Sequence, residues 1–191
     1  TLTFTIDPDD AKDFDDALSF KKLKNNNVEI GIHIADVTHY LEKNTLLDKE
    51  AKKRATSVYL SDRVGPMLPE ILSNDLCSLN PNEDKNVFSV LVEIDNNYNI
   101  ISKEFSKCLI NSNERMSYQE AQHVIENKTE KLPADVTITK KKRSLSKELV
   151  EAILHLNSVA LKLKEKRKNE GSVFFNKEEV RFVVNDQGEP C

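Results

Sequence analysis

Six carboxylates stand within the ten residues Asp7–Asp16: Asp7, Asp9, Asp10, Asp13, Asp15 and Asp16. Carboxylates this close repel one another and raise one another's pKa in a folded site. A hard cation such as Mg²⁺ removes the conflict, because it takes oxygen ligands and is usually held by a few carboxylates together with substrate phosphates. Three chemistries compete for such a run. It can be an exposed acidic turn. It can be a calcium loop of the EF-hand type, but that needs Gly at loop position six and Glu at position twelve. Counted from Asp7, those places hold Lys12 and Leu18, which argues against it. It can also be a metal-assisted phosphoryl-transfer site, where cations held by carboxylates bind both the attacking and the leaving oxygen of a phosphodiester.

The wider pattern separates the readings. The run Thr5-Ile6-Asp7-Pro8-Asp9-Asp10-Ala11-Lys12-Asp13-Phe14-Asp15-Asp16-Ala17 resembles the signature of the ribonuclease II/ribonuclease R family, in its catalytic RNB domain. Further stretches resemble it in the same order: Ile30–Val37, Arg54–Leu60, Pro66–Asn74 and Leu76–Pro81. The resemblance extends over essentially the whole chain. With Ala11-Lys12 ahead of Asp13, the acidic run is more similar to bacterial ribonuclease R than to the eukaryotic exosome relatives.

The resemblance implies a Mg²⁺-dependent, processive hydrolytic exoribonuclease, with Mn²⁺ as a possible substitute. Such an enzyme degrades single-stranded RNA from the 3′ end and releases nucleoside 5′-monophosphates. Carried over by position, it assigns Asp7 and Asp16 as metal ligands, Asp13 as support for the metal or its waters, and Asp15 as the residue whose loss stops chemistry. Asp9 and Asp10 fall at variable places and read as surface charges. Tyr59 and Tyr118 fall where the family places nucleotide-contacting tyrosines, in keeping with the sequence-tolerant stacking that aromatic rings offer unpaired bases. The family's domain runs well beyond 191 residues. Residues 1–191 are therefore expected to be its N-terminal part, without the later catalytic Glu and Arg or the cold-shock and S1 RNA-binding domains. The isolated chain is expected to be inactive or nearly so. The alternative class is a non-catalytic RNB-like domain that binds RNA or protein; loss of one of the four matching Asp residues would favour it, and none is lost.

The elements that must position these residues are legible. Thr1–Ile6 and Ala17–Lys22 read as strands flanking the acidic loop, and Pro8 ends the first. Asn25-Asn26-Asn27 turns the chain into a third strand, Val28–Ile34, whose alternating Val28, Ile30, Ile32 and Ile34 predict one buried face. On that face-by-face reading His33 is a structural histidine, and His39 and His123 have no role. A helix is predicted over Asp48–Ala55, then an extended piece at Ser57–Leu60. Pro66, Pro69 and Pro81 leave Asp62–Pro81 mostly loop, with a short helix near Glu70–Leu76. Asn86–Ile94 and Asn99–Ile110 form a hairpin around Asp95-Asn96-Asn97. Ser117-Tyr118-Gln119-Glu120 is a capping box opening a helix to about Asn127. Lys128–Arg143 reads as a polar surface loop. Leu145, Leu149, Ile153, Leu156, Ala160 and Leu163 predict one long helix packed on a sheet and ended at Gly171. Lys162, Lys164, Lys166, Arg167 and Lys168 suit its C-terminal end. Strands are predicted at Ser172–Phe175 and Glu178–Val184, with a turn at Asp186-Gln187-Gly188. The fold class is α/β: a mixed, strongly curved sheet with packed helices.

Composition sets the remaining bounds. A chain of 191 residues suits one domain with a sizeable core. Its net charge of −4 makes it a poor non-specific RNA binder by itself. Cys77, Cys108 and Cys191 have no CxxC spacing, which points to free thiols in a reducing, cytoplasmic compartment rather than a zinc site. No run approaches a membrane span.

Overall fold

The computed structural model describes residues 1–60 and 63–175. The predicted strand Glu178–Val184 and the turn at Asp186-Gln187-Gly188 lie outside the described residues. In chain order the elements are β1 (Leu2–Asp7), β2 (Asp16–Lys22), β3 (Val28–Ala35), α1 (Leu46–Arg54), β4 (Val58–Tyr59), β5 (Val64–Gly65), β6 (Asp84–Ile94), β7 (Ile100–Asn111), β8 (Glu114–Ser117), α2 (Tyr118–Asn127), β9 (Lys131–Leu132), β10 (Arg143–Ser144) and α3 (Lys147–Asn169).

The six long strands form one mixed sheet in the order β7-β6-β3-β2-β1-β8. Every neighbouring pair is antiparallel except β1 and β8, which run parallel. The expected α/β class is therefore the observed one, a mixed sheet with helices packed against it. Asn26 adopts the left-handed conformation in the β2–β3 turn, which Asn tolerates at small cost. The Asp95 carboxylate accepts from the Asn97 and Asn99 amides and closes the β6–β7 hairpin.

Two apolar cores lie on the sheet. The first gathers Phe4, Phe20, Val28, Ile30, Val92 and Ile94 against Leu149, Val150, Ile153 and Val159 of α3. The long helix is thus a sheet-packed helix. Its end is closed by Gly171 at φ +93°, with the Ser172 amide donating to Arg167 O. Leu161 stays exposed and adds nothing to the buried face. The second core collects Phe14, Ala17, Ala35, Leu68, Leu72, Leu79, Val87 and Ile110 beneath the 66–81 segment.

The burial of β3 departs from its sequence pattern. Val28 and Ile30 are buried as predicted, yet Ile32 and Ile34 are 41% and 48% exposed while His33 is 4% exposed. The first core covers only the early half of the strand, and the second takes over on the opposite face. His33 is structural: Nδ1 lies 2.7 Å from Ser89 Oγ and Nε2 lies 2.9 Å from Ser19 Oγ. Burial lowers its pKa and keeps the ring neutral. Gly31 leaves room for that ring, since a Cβ there would sit 2.3 Å from Ser19 Oγ and 2.5 Å from His33 Nε2.

Four other expectations change. α1 starts at Leu46, capped by Thr45, and buries only Ala51. The Glu70–Leu76 helix is a wide π-type turn over Leu72–Leu76. The 128–143 segment is more than a surface loop, because Leu132 and Thr137 are fully buried and β9 pairs with β10. Ser172–Phe175 is not a strand, and Val173 and Phe175 stand exposed.

Candidate active site

The acidic loop joins the end of β1 to the start of β2, and the hydrogen bonds around it explain why its conformation is defined. Ala11 N–H donates to Pro8 O and makes a turn. The guanidinium of Arg115, on β8, donates through Nη2 to Asp9 O (2.9 Å), Ala11 O (3.1 Å) and Pro8 O (3.4 Å), and lies 4.7 Å over the Phe14 ring. Ser78 Oγ accepts from Phe14 N–H and donates to Lys12 O, both at 3.0 Å. Leu79 N–H donates to Phe14 O, and Ala35 N–H to Asp15 O. Ser78 thus gives a physical role to the Leu76–Pro81 motif: it holds the second half of the loop while Phe14 anchors in the second core.

The pinned backbone brings Asp13 and Asp16 within electrostatic reach of both Asp7 and Asp15. Asp7 is 9% exposed, and its Oδ2 is buried without a hydrogen-bond partner. Burial pushes its carboxyl from 3.8 up to about 6, with the neighbouring Thr5 hydroxyl and Arg115 opposing the rise and the charges of Asp16 and Asp13 adding to it. Asp15 keeps much of its surface open to solvent, yet the protein crowded around its carboxyl raises its pKa, with Asp13 and Asp16 adding to the effect. Asp9 and Asp10 lie toward the surface, as expected of variable positions.

A cleft of about 290 Å³ opens beside the loop. Asp13, Asp15, Ser57, Tyr59, Met67 and Leu72 are among its lining residues, and among the described residues no Arg or Lys lines it. Tyr59, on the β4–β5 hairpin, donates from its hydroxyl to Asp13 Oδ2 at 3.1 Å and leaves 67% of its surface exposed. Burial, then the Asp13 charge, raises its phenol, so it stays a donor. Tyr118 is exposed and does not line the cleft. It follows Ser117, the sheet partner of Asp7, and so stands near the loop's entry. The capping box holds it there: Ser117 Oγ accepts from Glu120 N–H, and Ser117 N–H donates to the Glu120 carboxylate. Cys77 also lines the cleft, but burial raises its thiol and disfavours the nucleophilic thiolate. Asp36, in another motif stretch, is engaged elsewhere by Lys107 at 2.8 Å.

Among the described residues no group of three or more His, Cys, Asp or Glu forms a ready metal cage. An orphaned buried carboxylate oxygen in an all-oxygen donor set nevertheless suits Mg²⁺, which commonly uses one or two carboxylates and completes its shell with water and substrate phosphate.

Residues 1–191 match the family model described as RNB domain over their full length. The chain belongs to the RNB domain family. Ribonuclease R 1 of Lactococcus lactis is 41% identical over 99% of the chain, and DIS3-like exonuclease 2 of Schizosaccharomyces pombe is 42% identical over 99%. The solved structure of Mycoplasma genitalium RNase R in complex with ribose-methylated single-stranded RNA superposes with a TM-score of 0.85 at 29% identity, covering 99% of the chain. The chain spans 22%, 20% and 28% of the lengths of these three RNB proteins. Arg115 was not foreseen from the RNB motifs: it sits about a hundred residues from the loop it holds, and no local spacing marks it.

The raised Asp7 carboxyl yields a stability prediction for this RNB chain without metal. The folded state holds the proton to higher pH than the unfolded chain does. The stability this group contributes is fully present below 3.8 and is lost as pH rises through about 6. Asp7→Asn should therefore stabilise the metal-free chain at pH 8 by about 2–3 kcal/mol, and the gain should fade toward pH 4. Urea denaturation of both forms at the two pH values measures it, and equal midpoints at pH 8 would contradict it.

Proposed function

We propose that this chain is the N-terminal part of the catalytic RNB domain of a processive 3′-to-5′ hydrolytic exoribonuclease that releases nucleoside 5′-monophosphates from single-stranded RNA. The observation that carries the reading is the pinned acidic loop, in which Asp13 and Asp16 act on both Asp7 and Asp15, beside a cleft edged by Tyr59. In this reading Asp7 and Asp16 hold Mg²⁺, for which Mn²⁺ can substitute. Bound there, the cation neutralises the carboxylates and the incoming phosphodiester and makes water more acidic.

The chain's own side chains do the rest. Asp13, oriented by the Tyr59 hydroxyl, fixes the loop's second half toward the cleft and supports the cation or its waters. Asp15, at the cleft with a carboxyl raised by burial, takes up the proton of the attacking water in this reading. The exposed face of Tyr59 offers a stacking surface for a base in the cleft, and Tyr118 offers a second near the loop's entry. The four retained carboxylates support this reading over a non-catalytic RNB-like binder. Cold-shock and S1 RNA-binding domains are the expected companions in the full-length protein. The free thiols of Cys77 and Cys108 agree with a reducing, cytoplasmic setting. Among the described residues no helix is long and apolar enough to cross a membrane.

Product analysis tests the proposal. With Mg²⁺, the full-length protein should shorten a 5′-labelled single strand from its 3′ end and yield nucleoside 5′-monophosphates, and EDTA should stop it. Internal cuts, 3′-phosphate products or EDTA-resistant turnover would each overturn it.

A further inference from the structure

We infer that Arg115 is a positioning residue for this site: its guanidinium shapes the first half of the acidic loop, so that Asp7 and the later carboxylates converge before any cation arrives. The inference rests on the reading of the loop as the metal site.

Three observations on Arg115 support it. A single nitrogen, Nη2, meets three consecutive-turn carbonyls, of Pro8, Asp9 and Ala11. These are backbone oxygens, so the contacts fix the path of the chain rather than pair with one carboxylate. The guanidinium plane also rests over Phe14, whose ring is 4% exposed, and so ties the first half of the loop to the anchor of the second half. Finally, Arg115 comes from β8, the strand that pairs in parallel with β1: Thr5 faces Arg115 and Asp7 faces Ser117 in the register. The strand that launches the loop and the residue that folds it are therefore neighbours in the sheet. The planar face is what this arrangement requires of the residue: Lys would carry the charge and donors on one nitrogen, but not the flat guanidinium that rests over Phe14.

Charge and positioning make opposite forecasts for metal binding. If Arg115 acted only as a nearby positive charge, removing it would tighten divalent-cation binding, because like charges repel. If it positions the ligands, removing it weakens binding, by about tenfold for a residue that orients metal ligands through a second layer of contacts. A purely structural Arg would lower stability and leave the affinity of the folded protein unchanged.

The experiment compares the 191-residue chain with Arg115→Met and Arg115→Lys, using Mn²⁺ as the probe and water proton relaxation as the readout, well below the thermal midpoint of every variant. Amide hydrogen exchange at Ala11 and Phe14 is followed without metal. Both variants should exchange those two amides about tenfold faster, the loss expected from one charge-assisted hydrogen bond. Both should also bind Mn²⁺ about tenfold more weakly, with Lys failing to rescue. Tighter Mn²⁺ binding by Arg115→Met, full rescue by Lys, or unchanged exchange and affinity would overturn the inference. Asp7→Asn is the control for the underlying reading. Unchanged Mn²⁺ affinity in that variant would refute the loop as the metal site, whatever Arg115 does.

Discussion

Asp15→Asn in the full-length protein is expected to slow RNA hydrolysis by about a thousandfold or more while leaving RNA affinity unchanged or slightly tighter. The substitution keeps the side chain's shape and removes one negative charge from a cluster that a phosphodiester must approach. Asp15 is tied into the fold through its backbone, whose carbonyl accepts from Ala35 N–H, so its side chain can change without unpinning the loop. Its carboxyl lines the cleft beside Asp13. Single-turnover cleavage of a 3′-labelled strand and equilibrium binding to the same strand measure the two effects. Turnover near that of the unsubstituted protein would remove Asp15 from the chemistry. A parallel loss of binding would make it an RNA-contacting group instead.

The second large effect concerns the isolated 191-residue chain, which is expected to release little or no mononucleotide. Its acidic loop keeps all four matching Asp residues, so on the proposed reading the obstacle lies elsewhere. Among the described residues the cleft lining has no Arg or Lys to stabilise the charge that grows on the phosphate during attack. Lacking one such donor commonly costs about a hundredfold or more in rate. The chain also spans only about a fifth of its ribonuclease R relative, and a strand held an ångström out of line costs about a further hundredfold. Its net charge of −4 disfavours the encounter with RNA. Release of AMP from poly(A) in Mg²⁺, measured beside the Asp15→Asn form to exclude contaminating nuclease, is the assay. Robust release by the unsubstituted chain alone would show that the groups on these 191 residues suffice.

Much of this arrangement was legible in the sequence because it depends on local rules. Strand alternation, an Asp-Asn-Asn turn, a Ser-x-x-Glu capping box and a four-and-three apolar repeat placed β1 to β3, the β6–β7 hairpin, α2 and α3. The acidic loop and Tyr59 came from motifs, and the structure joins them through the Tyr59–Asp13 hydrogen bond. What escaped depends on contacts between distant parts of the chain. Which half of β3 is buried is decided by how far the first core extends along the strand, which alternation alone does not encode. Leu132 lies in a polar stretch and is buried because β9 folds against β10 next to the first core. Arg115 reaches its three carbonyls only because β8 returns to pair with β1, and Ser78 meets Phe14 and Lys12 across more than sixty residues. Tyr118 was assigned with Tyr59 as a nucleotide contact, and the structure places it by the loop's entry, away from the cleft lining.

The central claim, that the acidic loop binds the catalytic divalent cation, is tested most directly by titrating Mn²⁺ into the ¹⁵N-labelled 191-residue chain and mapping paramagnetic broadening residue by residue. Broadening should begin at the amides of Asp7–Ala17, extend to Tyr59 across the Asp13 contact, be reversed by excess Mg²⁺, and be lost in an Asp7→Asn, Asp16→Asn double variant. Broadening centred on any other part of the chain, or persisting unchanged in the double variant, would contradict it.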